Sequence, residues 1–358
     1  MAGPGPFARL PAPSSSSPRR AIFFLILFAL AIFVLFSAMT TTNSVPGLPT
    51  KGSSQPELEN IDLDTGIINT NLPTTHDLFP TSQPLLESWT TRAGLRGALP
   101  LSDTTFKPFD ITSGTPDHTY TTTPDGRLVM QATYPKGSFH PSAQPRGGFG
   151  FYAPGPDALD ITTAKEALFS YSVLFPEGFD FVKGGKLPGL YGGDDPKTAV
   201  GCSGGRRDSK CFSMRLMFRP LGAGELYIYI PRNSSAEGNH SQFSSNAKIC
   251  NLPHSVCNPT YGISIGRGQF NFTPGEWTTV SERVRLNTAG QADGEMEVFK
   301  NGESVINATG LVIRGNDAGR IRGMHMETFF GGNTPEWATP TTQKAFFADF
   351  SMAILEKM

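Results

Sequence analysis

Charge is scarce in this chain of 358 residues: Lys and Arg number 30, Asp and Glu number 31, and the formal net charge is -1. Nucleic acid is therefore not an expected partner, because neutralising a phosphate backbone calls for a basic excess. A local basic groove for an acidic polymer is not excluded, since a total conceals it. Sustained helical periodicity is missing from the body of the chain, which argues against a helical domain. The six histidines show no metal-ligand spacing, so no catalytic metal or other cofactor is expected. Only a structural Ca²⁺ held by carbonyls and carboxylates stays open. Cysteine is sparse too, and Cys202, Cys211, Cys250 and Cys257 all fall in Gly/Ser/Asn/Pro-rich stretches. Their spacings do not resemble zinc-finger or zinc-ribbon spacing. An even count in an oxidising compartment reads as disulfides, with Cys202–Cys211 and Cys250–Cys257 the simplest of the three connectivities.

Long apolar runs are absent except for one. Residues 21–39, "AIFFLILFALAIFVLFSAM", carry no charge and a single hydroxyl, which is enough to cross a bilayer as a helix. Arg9, Arg19 and Arg20 precede it, so the positive-inside tendency leaves residues 1–20 in the cytosol as a short N-terminus and the remainder outside. A cleaved signal peptide is the rival, with a poor small-x-small site because position 36 is Phe. Both put the domain outside the cell, as a single-pass type II membrane protein or a secreted one. The sequons at Asn233, Asn239, Asn271 and Asn307 agree with that route. Residues 40–85 are rich in Thr, Ser, Pro and Asn and read as a linker; residues 86–358 then form one globular domain.

Within the domain, short alternating runs are bounded by Gly, Pro, Asn and Asp, which is the strand pattern. The clearest are 167–175, 212–218, 225–231, 277–286 and 294–307, the last carrying Asn301-Gly302 as a hairpin turn. Many short strands predict an all-β sandwich, most plausibly a jelly roll. In "FSMRLMF" the alternation leaves Ser213 and Arg215 on the face opposite Phe212, Met214, Leu216 and Phe218; in "ELYIYIP" it leaves Tyr227 and Tyr229 opposite Leu226, Ile228 and Ile230. If "RPLGAGE" joins the two runs as antiparallel neighbours, all four polar side chains share one face. Upstream, "FVKGGKLPGLYGG" (181–193) holds five glycines and a proline. That composition predicts a loop rather than a regular element, one whose missing side chains let a backbone or polymer come close to Lys186.

Together "GFDFVKGGKLPGLYGG", "SMRLMF", "LYIYIP" and "TFFGGNTPEWATPTTQKAFFADF" resemble the polysaccharide lyases that cut alginate and glucuronan, families 14 and 20, over roughly residues 125–355. Gly-Gly-Lys-Leu-Pro-Gly-Leu is the most specific element, and the wording of the stretch is slightly closer to the glucuronan-cleaving members. The resemblance implies a β-jelly roll, and it makes Lys186, Ser213, Arg215, Tyr227 and Tyr229 the catalytic set. Its chemistry suits those residue types. A uronate lyase removes the C5 proton α to a carboxylate and expels the O4 glycoside, so donors aimed at the carboxyl group matter most. Arg215 offers a permanent bidentate fork and Ser213 a further donor. Lys186 and one of the tyrosines would share the base and acid roles, the tyrosine lowered by the cations Lys183, Lys186 and Arg215.

His140, Gln144 and Arg146, in a Gly/Pro-rich loop, are expected to flank a substrate groove, whereas His118 and His325 read as satisfied histidines. Glu295 and Glu297 on one strand face could suggest a glycosidase pair, and Trp277 and Trp337 read as core. The expectation is thus an endo-acting, monomeric polyuronate lyase; a non-catalytic glycan-binding jelly roll and a cell-wall glycoside hydrolase are the alternatives.

Overall fold

A computed structural model of the chain describes residues 72–111, 118–206, 208–231, 241–258 and 260–358, the side chains of 241–243 excepted. The apolar run 21–39, most of the expected linker, and Asn233 and Asn239 lie outside the described residues. Among the described residues no helix is long and apolar enough to cross a membrane.

In chain order the strands are β1 (Glu87–Thr90), β2 (Thr119–Thr122), β3 (Leu128–Tyr134), β4 (Phe149–Ala153), β5 (Ala164–Leu174), β6 (Gly185–Gly193), β7 (Cys211–Phe218), β8 (Gly224–Tyr229), β9 (Val256–Cys257), β10 (Ile263–Ile265), β11 (Trp277–Arg285), β12 (Gly294–Lys300), β13 (Glu303–Leu311), β14 (Arg320–Phe330) and β15 (Gln343–Lys357). They form two antiparallel sheets. One runs β13-β12-β11-β5-β15-β3-β2 with β1 paired to β15, and the other runs β4-β14-β6-β7-β8-β10-β9. The five alternating runs read from the sequence are all strands, and Asn301 and Gly302 both have positive φ, 48° and 79°, as the hairpin turn requires.

Alternation buries one face of each sheet in a shared apolar core. At one end of that core Phe175, Phe179, Phe181, Phe218 and Phe330 interlock, with ring centroids 4.8–6.0 Å apart and mostly edge-on. Such pairs add about 0.5–1.5 kcal/mol each beyond burial. This cluster sits beneath the segment that carries Lys186. Packing begins upstream of residue 86: the short helix α1 (Thr75–Leu78) buries Leu78, which clusters with Phe79, Leu168 and Leu355.

The glycine-rich stretch is not a loop. Its residues 185–193 are β6, fully buried and hydrogen-bonded on both sides, to β14 and to β7. The glycines are there because neighbouring backbones and rings leave no room for a Cβ. At Gly189 one would lie 2.0 Å from the Met214 carbonyl oxygen, and at Gly185 one would lie 2.2 Å from the Phe218 ring. Pro188 is tolerated because β6 is bulged. Lys186 pairs with Met217 and Gly189 with Arg215, so β6 uses three steps where β7 uses two.

The opposite sheet satisfies the backbone groups that the bulge releases. Tyr171 on β5 donates its hydroxyl to the Pro188 carbonyl at 3.2 Å, and Glu282 on β11 accepts the Leu190 N–H at 2.9 Å. Burial pushes the Glu282 carboxyl well above its ordinary value.

Two outcomes follow for stability. Gly189→Ala should cost about 3 kcal/mol or more by overpacking, roughly 6–12 °C in thermal midpoint; an unchanged midpoint would mean the strands are not that close. For Glu282 the folded state binds the proton more tightly than the unfolded chain. Its contribution is therefore fullest below the ordinary value of 4.5 and is lost as pH rises through the raised one. Glu282→Gln keeps the acceptor and removes the ionisation, so it should raise the midpoint at pH 8 relative to wild type more than at pH 5.

Candidate active site

Lys186, Arg215, Tyr227 and Tyr229 line one cavity of about 630 Å³ on the outer face of the second sheet. The register explains the meeting. Across β6, β7 and β8, Lys186 stands beside Met217 and Glu225, Gly189 beside Arg215 and Tyr227, and Tyr191 beside Ser213 and Tyr229. The bulge brings Lys186 onto the face of Gly189 and Tyr191, which an unbroken period of two would deny it. Gly189, having no side chain, leaves the Arg215 guanidinium free to reach β14.

There Arg215, buried to 1% exposure, is paired with Glu327. Breaking such a buried pair typically costs about 3–5 kcal/mol. His325, two residues along β14, places Nε2 3.7 Å from the same carboxylate and stacks on Tyr152 with centroids 4.2 Å apart. Burial, with Arg215 and Lys186 nearby, holds its imidazole well below the usual range, so it is neutral.

The Lys186 amine donates to the Met217 sulfur at 3.1 Å and lies 3.3 Å from the Tyr227 ring centroid and 5.9 Å from that of Tyr229. Two influences oppose each other here. A ring face favours the ammonium by about 2 kcal/mol or more when desolvated, whereas full burial alone shifts a lysine by up to about 3–5 pKa units, and each unit is 1.36 kcal/mol. Burial prevails, reinforced by Arg215 and Arg219 and only partly offset by Glu225, and the Lys186 pKa falls well below 10.5.

Tyr227 behaves otherwise than the sequence suggests. Burial and the adjacent Tyr229 raise Tyr227 above its usual 10, with Arg219 and a hydrogen bond from the Gly262 N–H, at 3.1 Å, offsetting only part. Tyr227 therefore remains a phenol.

Some expected residues fall elsewhere. Ser213 shares the face, but its Oγ donates to the Cys202 carbonyl at 2.7 Å and it does not line the cavity. That carbonyl belongs to the Cys202–Cys211 bridge; Cys250–Cys257 is the second bridge, both paired as read from the sequence. Lys183 is exposed beyond the cavity wall, with Glu336 near it, so it contributes no charge at the tyrosines. Of the loop trio only His140 reaches the cavity; Gln144 and Arg146 do not line it. Asn271 and Asn307 are exposed. Glu295 and Glu297, on the sheet away from the cavity, both bind Arg283 of the neighbouring strand β11, at 2.9 and 3.0 Å, which removes them as a glycosidase pair. Trp277 packs under Arg127, whereas Trp337 lines the cavity rather than the core. Among the described residues no cluster of three or more His, Cys, Asp or Glu side chains is placed to hold a metal ion.

Sequence reasoning missed Glu327, Arg219, Glu225 and Met217. The period of two that singled out Ser213, Arg215 and the tyrosines extends to all four: 213, 215, 217 and 219 alternate along one run, 225 precedes 227 and 229, and 327 follows 325.

The sequence profile of polysaccharide lyase 14 matches residues 122–350. Among solved structures the chain is similar to a family 14 alginate lyase from Aplysia kurodai, at 31% identity over 75% of this chain and 98% of that one, TM-score 0.60. It is also similar to alginate lyase vAL-1 from Chlorella virus, at 26% identity over 70% of this chain and 93% of that one, TM-score 0.55. A glucuronan lyase from Trichoderma reesei is more distant, at 9% identity over 66% of this chain and 86% of that one, TM-score 0.41. No curated protein matches. With a family profile spanning most of the sandwich and a relative at this identity aligned along nearly its whole length, the chain belongs to polysaccharide lyase family 14 and is a polysaccharide lyase.

Proposed function

We propose that the protein cuts a 1,4-linked polyuronate, alginate before glucuronan, within the chain and by β-elimination, on a jelly-roll domain held outside the cytosol by the N-terminal apolar run. The observation that carries the chemistry is a buried lysine amine, 3.3 Å from the ring of a tyrosine that stays protonated, beside a buried arginine in the same cavity. Alginate is favoured because the two relatives above 25% identity are alginate lyases. The two disulfides fit an oxidising compartment.

In this scheme Arg215 receives the carboxylate of the sugar to be opened and stabilises the charge that develops on it. Neutral Lys186 takes the C5 proton. The electron pair of that C–H bond forms the C4–C5 double bond as the C4–O4 bond breaks, and Tyr227 gives its phenolic proton to the departing O4. Lys186 is left as the ammonium and Tyr227 as the phenolate, a pair that neutralises itself by returning the proton. The product carries an unsaturated uronate at its new non-reducing end. Arg215 is held for this by Glu327, and Ser213 acts by tying β7 to the Cys202 segment rather than on substrate. Hydrolysis is disfavoured because Glu327 is tied to Arg215 and Glu225 to Arg219 and Arg267, leaving no free carboxyl pair across the cavity among the described residues.

Offered polymannuronate, polyguluronate, glucuronan and pectate separately, the protein should raise ultraviolet absorbance most with an alginate block. Reducing ends without absorbance would mean hydrolysis, and binding without either would mean a lectin.

Lys186→Ala and Lys186→Arg should each lower kcat/KM by about 10²–10⁴, the size of a general-base contribution. Arginine keeps the charge but cannot become neutral, so activity retained in Lys186→Arg would overturn the base assignment. In wild type the base must be deprotonated, so kcat/KM should rise with pH along an acid limb set well below pH 10.5; a limb near 10.5 would contradict the buried, depressed amine.

A further inference from the structure

The cavity contains a second cationic centre to which the elimination assigns no contact with the opened sugar, although Arg219 helps to lower the Lys186 pKa. Arg219 and Arg267 both line it, and both are held by one carboxylate, Glu225, which is 0% exposed. One oxygen of Glu225 takes the Arg219 guanidinium. The other takes Arg267 Nε at 2.6 Å and the Ser264 hydroxyl at 2.6 Å. Two guanidiniums against one carboxylate leave a net charge of +1, fixed in place by a group that solvent cannot reach.

The arrangement has three marks of a ligand site. First, among the described residues the Nε–H of Arg219 and that of Arg215 find no hydrogen-bond partner although both are buried, an arrangement costly to keep unless something fills it. Second, the two centres flank the tyrosine pair. Arg215 lies 5.8 Å from the Tyr229 ring and Arg219 lies 5.8 Å from the Tyr227 ring, the two rings being 5.7 Å apart. Third, Trp337 stands 5.9 Å from Arg219 on the cavity wall, an apolar ring beside a cation, as a sugar face with an equatorial carboxylate would call for.

We propose that Arg219 and Arg267 form a second carboxylate-binding subsite, which holds the uronate on the other side of the scissile bond from the one held by Arg215. The inference rests on the lyase reading and sharpens its specificity: the enzyme cuts between two uronates and passes over a link in which only the opened sugar carries a carboxylate.

The experiment uses the full chain and alginate in which a measured, random fraction of carboxylates has been reduced to neutral alcohols, at constant ionic strength and non-saturating substrate. Reduction at the opened sugar abolishes elimination for chemical reasons, so the initial rate must fall at least in proportion to the remaining carboxylates. A subsite requiring the neighbour makes it fall as the square: with half of the carboxylates gone, wild type should lose about fourfold and Arg267→Gln about twofold relative to their own rates on intact polymer. Arg267 is 40% exposed at its side chain, so this variant should fold; Arg219→Gln, read the same way, is the second variant, with circular dichroism as the folding check. Proportional loss in wild type would overturn the subsite. A square law unchanged in both variants would move the second carboxylate to other residues and overturn the assignment to Arg219 and Arg267. Absence of any absorbance on intact alginate, glucuronan or other polyuronate would instead overturn the lyase reading itself.

Discussion

The active face depends on one irregularity, the bulge between Lys186 and Gly189. An unbroken β6 would put position 188 on the groove face along with 186, and the register against β7 would slip for everything beyond it. With one extra residue, Lys186 and Gly189 both face the groove, and Lys186 projects where Tyr227 meets Arg215. The bulge is held from behind: Tyr171 and Glu282 reach through the core to the Pro188 carbonyl and the Leu190 N–H. Burying a polar group without a partner is expensive, so these two residues of the far sheet fix the lysine that the near sheet presents.

Charge is then distributed by a simple rule. Each buried arginine in the groove has a carboxylate assigned to it, Glu327 for Arg215 and Glu225 for Arg219 with Arg267. Lys186 has none; it has a thioether, aromatic rings and two guanidiniums. An amine so placed gives up its proton more readily than an exposed lysine does. The scarcity of charge in the chain as a whole therefore coexists with a concentrated local field, and a net total of -1 says nothing about the groove.

Much of this was legible beforehand because strand alternation is a local signal. Ser213, Arg215, Tyr227 and Tyr229 were placed on one face by a period of two and one connecting turn, and β7 and β8 pair as that requires. The glycine-rich segment was misread as a loop for an equally physical reason. Gly and Pro weaken an isolated strand, but at Gly185, Gly189 and Gly192 the alternative is a clash with a neighbouring strand, which a single sequence cannot display. Glu327 and Lys183 show the same limit from opposite sides. Glu327 matters because β14 pairs with β6, a contact between segments more than 120 residues apart, while Lys183, three residues from Lys186, is exposed and does not line the cavity.

The pKa directions also reorder the roles assigned by analogy. Three cations were expected to draw a tyrosine down toward a base. One of them, Lys183, is absent from the cavity, and the burial that lowers the Lys186 pKa raises that of Tyr227. Desolvation disfavours the charged form of both groups; since the charged form of lysine is the acid and that of tyrosine the base, burial of the two side chains turns them into a complementary pair. No separate device is needed to set the two against each other. A uronate entering with its own negative charge meets guanidiniums already oriented by their carboxylates and an amine whose pKa burial has already lowered, so little reorganisation is left to the reaction itself.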